Sequence, residues 1–100
     1  IFSVEVEGAI YSHPAVQECA VIGIPDDRWG EAVHAVVVLG EGGEAAESDI
    51  IDHCREKIAG YKVPRSVEFR SEPLPISGAG KILKNELRSP YWEGSQKKVN

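Results

Sequence analysis

The chain has no methionine, not even at position 1, and only two cysteines in 100 residues. Cys19 and Cys54 form no CxxC pair, so a disulfide scaffold is not indicated and a reduced intracellular setting is the simpler expectation. Long apolar runs are missing too. The longest, 35–39 and 20–22, fall far short of the ~20 residues that cross a bilayer. Residues 1–10 carry two glutamates and no basic leader, so neither a membrane span nor a secretory signal is expected. No repeat, low-complexity tract or interior linker divides the sequence, which fits one small domain. The missing start suggests a piece of a longer protein.

Positive charge is scarce where a nucleic acid would need it. Residues 1–59 hold twelve acids against Arg28, Arg55 and Lys57, and residues 60–100 hold eight cations against four acids, giving −5 overall. A phosphate polymer is bound through many basic contacts, so no nucleic-acid partner is expected. The basic second part still suits a small anion.

The patterning predicts a helix headed by Ser3, with Glu5 and Glu7 at the positive end of its dipole, Val6, Ala9 and Ile10 at helical spacing, and His13-Pro14 as its stop. A strand over 16–24 leads through a Pro25-Asp26-Asp27 turn to a second strand over 32–39, apolar enough to be covered on both faces. Ile50, Ile51, Cys54 and Ile58 mark an amphipathic helix, with Gly60 placed as a left-handed cap. Val67 and Phe69 alternate with Glu68 and Arg70 as a half-buried strand. Residues 71–80 read as an irregular loop and 82–88 as a short helix stopped by Pro90. The expected fold is α+β, a small sheet of about three strands with helices packed against it, in the order α-β-β-α-β-loop-α.

Three places could carry chemistry. Lys81 follows Gly78-Ala79-Gly80 at the mouth of the predicted helix, where glycines allow close backbone approach and a helix start offers free N–H groups to an anion. A full P-loop is absent, since Pro75 and Ile82 stand where Gly and Ser or Thr are needed. Gly60-Tyr61-Lys62-Val63-Pro64 sets a ring beside an ammonium, which suits a nucleotide; the plainer alternative is a helix cap with Tyr61 on the core. The 26–31 connection carries Trp29, which either meets a ligand or covers a core edge. His13, His34 and His53 lack metal-site spacing, so no metal site is expected. Tyr91-Trp92 after Pro90 reads as a tail clipping back onto the domain.

The run Pro75-Ile76-Ser77-Gly78-Ala79-Gly80-Lys81-Ile82-Leu83-Lys84 resembles the last motif of the adenylate-forming (AMP-binding, acyl-CoA synthetase) enzymes. Val4-Glu5-Val6-Glu7, then Val21-Ile22-Gly23-Ile24-Pro25-Asp26 with Trp29-Gly30-Glu31, then Gly60-Tyr61-Lys62-Val63-Pro64 resemble three further segments in that family's order. The resemblance implies that residues 1–92 are the C-terminal lid of an acid–CoA ligase, with 93–100 a tail. Such a lid rotates between an adenylating and a thioester-forming arrangement. It implies Lys81 as the adenylating lysine, with Gly80 beside it in close approach to the ligand, and Trp29, Tyr61 and Lys62 on the CoA nucleotide side. ATP, Mg2+ and the acid, with a fatty acid foremost, would be held mainly by an N-terminal domain in cis, in the cytoplasm. The same resemblance admits an adenylation domain loading a carrier-protein thiol. Outside the family, a stand-alone module binding a small anion or a protein is the other reading.

Overall fold

The computed structural model describes residues 3–27 and 30–99, with side chains through residue 93. Three helices, one 3-10 turn and three strands follow the order α1 (Ser3–Tyr11), β1 (Val16–Asp26), β2 (Gly30–Leu39), α2 (Glu47–Arg55), the turn Gly60–Lys62, β3 (Ser66–Arg70) and α3 (Lys84–Val99). β1 and β2 form a long antiparallel hairpin that runs from the Val16–Leu39 pair to the Asp26–Gly30 pair. β3 lies parallel to β2, with α2 as the crossover, so β2 is the central strand.

That central position explains the apolar run. Ala35 and Val37 face a cluster with Val6, Ala9 and Ile10 of α1 and Ile50 and Cys54 of α2. Val36 and Val38 point the other way, onto Leu74 and Leu87. The sheet is covered by α1 and α2 on one face and by α3 with its preceding loop on the other, as the sequence predicts for 32–39. Each fully buried side chain of this size contributes about 1.5–3 kcal/mol through burial.

Helix side chains occupy part of each outer edge of the sheet. On β1, the Cys19 and Val21 amides donate to Tyr11 Oη (3.2 Å) and Glu7 Oε2 (2.8 Å) of α1. On β3, the Val67 amide donates to Glu47 Oε2 of α2 at 2.8 Å. Unpaired edge amides would invite another strand, and these bonds satisfy three of them.

Several local expectations are corrected. Ser3 is the first described residue of α1, within the helix; the position ahead of it lies outside the described residues. β1 continues through Pro25 and Asp26, so the reversal falls later and ends on Gly30 at φ 81°. α2 ends at Arg55, and Gly60 opens the 3-10 turn without a positive φ, because Lys57 and Ile58 both turn back to donate to the Cys54 carbonyl. Phe69 is exposed, since β3 is an edge strand and α2 covers only the Val67 end of it.

The largest correction concerns the C-terminal helix, which begins at Lys84 and passes through Pro90. Proline removes one helical hydrogen bond, but Arg88, Ser89 and Pro90 are exposed, where water can replace it. Leu87 before the proline is buried, and behind it the Tyr91 hydroxyl reaches His34 Nε2 (3.0 Å) while Trp92 Nε1 donates to the Gly23 carbonyl (2.9 Å). Tertiary anchors on both sides outweigh the local stop signal, and Tyr91-Trp92 does clip back onto the domain.

Candidate functional site

Lys81 stands on the return leg of a small hairpin, just past its Gly78-Ala79-Gly80 tip and three residues ahead of α3, so the expectation that it opens a helix is corrected. Ile76 and Ile82 form an antiparallel bridge, the Ser77 amide donates to the Lys81 carbonyl (2.8 Å), and the Gly80 amide donates to the Ser77 carbonyl (2.9 Å). Ser77 Oγ accepts from the Ala79 and Lys81 amides, each at 3.3 Å. The amide of Lys81 is therefore used inside the turn, and the helix start offers no anion hole at this residue. Gly80 has φ 85°, a conformation that a side chain would strain, whereas Gly78 has neither a positive φ nor a close neighbour. Only the second glycine is required by the backbone.

Each leg of the hairpin is fixed. Leu74 is buried and its amide donates to Glu18 Oε1 (3.1 Å), the Leu83 amide donates to the Pro75 carbonyl (2.9 Å), and Lys84 Nζ meets Glu7 Oε2 at 2.8 Å. Residues 71–75 are irregular as expected, and 76–80 are a built turn within the loop. Lys81 itself is exposed, and its ammonium makes no ion pair among the described residues. The arrangement is an unneutralised cation on a short rigid arm.

Glu7 had only a helix-dipole role in the sequence, yet one oxygen joins α1 to β1 and to the first turn of α3. Glu7→Gln keeps an acceptor for the Val21 amide but loses the charge opposite Lys84. The pair is partly open to water, so the expected loss is about 1 kcal/mol, read as a lower urea midpoint with unchanged slope.

The second group occupies the 3-10 turn. Tyr61 is 71% exposed, which rules out packing on the core, and Lys62 Nζ lies 5.6 Å from its ring centroid. The same ammonium pairs with Glu5 Oε1 at 2.7 Å, a hydrogen bond that holds Lys62 above the usual lysine range. Val63 and Pro64, which follow the turn, are buried and anchor it to the domain. Trp29 lies outside the described residues. The structure places Lys81 and the Tyr61–Lys62 pair on separate elements, and α1 touches both regions, through Glu7 to Lys84 and Glu5 to Lys62.

Neither Lys81 nor Tyr61 lines the cavity of about 360 Å³ between α1, the β1–β2 hairpin and α3. Its lining is mostly apolar, with Ser3, Glu31, Lys84 and Arg88 as its polar members. The thiols are packing groups: burial pushes Cys19 up to about 12 and raises Cys54, and neither is in a disulfide. Among the described residues no three His, Cys, Asp or Glu side chains gather as a metal site, and no helix is long and apolar enough to cross a membrane.

With this geometry in hand, the chain can be placed among known proteins. It belongs to the family described as the AMP-binding enzyme C-terminal domain, whose model matches residues 5–81 and so ends on Lys81. It is 50% identical to a feruloyl-CoA synthase of an Amycolatopsis species over 91 residues, which is 91% of this chain and 18% of that protein. It is 39% identical over its whole length to the fatty acid–[acyl-carrier-protein] ligase ScoC of Streptomyces coeruleorubidus, covering 19% of it. Its fold matches the crystal structure of ATP-bound MatB from Rhodopseudomonas palustris with a TM-score of 0.84 at 36% identity, over 91% of this chain and 18% of that one. The chain thus spans about a fifth of the length of the proteins it matches.

Proposed function

We propose that this chain is the mobile C-terminal domain of an ATP-dependent acid–CoA ligase, spanning residues 1–92 with a tail at 93–100. The whole enzyme would convert a carboxylic acid, with a fatty acid the first candidate, to an acyl-adenylate and then to the acyl-CoA thioester. One observation carries this reading. Lys81 is an exposed cation without an ion-pair partner among the described residues, raised on a hairpin whose legs are locked to the domain, and cations offered this way suit charge that develops between two reacting anions. In the adenylating arrangement its ammonium would bridge the attacking carboxylate and the α-phosphate of ATP, with Gly80 leaving the turn open to close approach.

The partner is the enzyme's own N-terminal domain in cis, which would hold ATP and the acid. The acids described here do not converge as a Mg2+ site, so Mg2+ would be held by the ATP phosphates and that domain. Trp29, Tyr61 and Lys62 would face the CoA nucleotide. A cytoplasmic setting accords with two reduced cysteines. The test is turnover by the full-length enzyme: pyrophosphate release with ATP and an acid, followed by thioester formation with CoA. No pyrophosphate release across a panel of fatty and aryl acids would sink the proposal.

Tyr61→Ala is expected to raise the KM for CoA about five- to tenfold while adenylation proceeds at the normal rate. The ring is open on one side, so the low end of base-stacking energies applies, about 1 kcal/mol. An unchanged KM would remove Tyr61 from the CoA side. The likeness to a carrier-protein ligase supports a second reading, in which the acceptor is a carrier-protein thiol. Thioester formation on a phosphopantetheinylated carrier protein, with none on CoA, would favour it.

A further inference from the structure

We infer that Glu5 is a resident anion for Lys62, which holds the ammonium until a CoA phosphate arrives and competes with that phosphate, so that it sets the enzyme's affinity for CoA. This rests on the reading of the Tyr61–Lys62 turn as part of the CoA side. Two lysines are offered to ligands in this domain, and they differ in electrostatic state. Lys81 has no ion-pair partner among the described residues, while Lys62 Nζ sits 2.7 Å from Glu5 Oε1. The pair joins residues 57 positions apart, so it is a product of the fold and not of helical spacing.

A phosphate approaching Lys62 meets a cation already neutralised. It must share the ammonium with a carboxylate, and two anions on one cation repel at these distances. Glu5 is half exposed and can swing into water, so displacement is the route. An opposing effect is that Glu5 orders Lys62 in advance. The Lys62 side chain is only 18% exposed and the turn that carries it is anchored by buried Val63 and Pro64, so the turn itself supplies much of the ordering. Competition therefore outweighs ordering. The Glu5 end of the pair is open to water and such pairs are weak, which bounds the gain from removing Glu5 at about two- to fivefold.

The experiment measures the KM for CoA and for pantetheine, which lacks the nucleotide phosphates, in the full-length enzyme. Glu5→Gln is expected to lower the KM for CoA about two- to fivefold and to leave that for pantetheine unchanged. The gain should vanish when Lys62→Gln is added, because Glu5 acts through that ammonium. An equal change for both acceptors, or a gain that survives in the double variant, would mean a structural effect and overturn the inference. If Lys62→Gln weakens CoA use but Glu5→Gln leaves it unchanged or worse, the role of Glu5 alone is overturned. If Lys62→Gln has no effect on CoA, the CoA-side reading of the turn falls and the inference falls with it.

Discussion

Replacing Lys81 by alanine in the full-length enzyme is expected to slow adenylation by about two to three orders of magnitude, the usual effect of losing one charge-stabilising donor. A cation about 4 Å from an anion in a partly wet cleft is worth roughly 4 kcal/mol at an effective dielectric near 20, which is of the same size. The structure makes the variant informative. Lys81 is exposed and its backbone, not its side chain, holds the hairpin together, so alanine there should leave the turn intact. Arginine should rescue only in part, because a planar fork does not reproduce a compact ammonium. Supplying preformed acyl-adenylate with CoA bypasses the first step, and thioester formation in that assay should stay near normal. Equal loss in both steps would assign Lys81 to the hairpin's stability and remove it from the chemistry.

The parts of the fold legible in the sequence are those whose signal is local or periodic. The two-sided burial of β2 is written in the unbroken run Ala35-Val36-Val37-Val38, and α2 in the spacing of Ile50 and Cys54. Lys81 is a candidate on the same kind of local signal, glycines beside a cation within about ten residues. What stayed hidden depends on partners far along the chain. Gly60 looked like a cap because a helix stop needs only a nearby glycine, but Cys54 accepted both amides that ended α2 earlier. Pro90 looked like a terminator because its cost is local, while the contacts of Tyr91 and Trp92 that offset it reach residues 57 and 69 positions away. Glu5 and Glu7 are neighbours on one helix with the same apparent role. Only the packing shows that one holds Lys62 and the other Lys84.

Tyr91→Phe is expected to destabilise the domain by about 1–3 kcal/mol at neutral pH and to make its acid unfolding shallower. His34 is 4% exposed, and both its nitrogens are engaged, Nδ1 with Ser66 Oγ (2.6 Å) and Nε2 with Tyr91 Oη (3.0 Å). The proton positions follow from the ends of the chain. Tyr91 donates its one proton to the Glu68 carboxylate, so its oxygen can only accept from His34 Nε2–H. Nδ1 is then the acceptor for Ser66. Burial and the nearby Glu68 carboxylate push the Tyr91 hydroxyl up to about 12, which keeps it a donor at working pH. Burial lowers the pKa of His34, and the Glu68 and Glu47 carboxylates only partly oppose this. The unfolded chain therefore binds the proton first. Stability is full above the unfolded value of about 6.5 and falls as pH drops from there toward the lower folded value. Phenylalanine removes the acceptor for Nε2–H and leaves Glu68, already 3.6 Å from Nε2, without the donor that partly satisfies it. The bare carboxylate then favours the charged imidazole, raising the folded pKa toward the unfolded one. Urea midpoints measured from pH 7.5 to 5 should start lower in the variant and converge on those of the native chain as the pH falls. Parallel curves would show that Tyr91 contributes packing alone and that the relay does not govern the titration of His34.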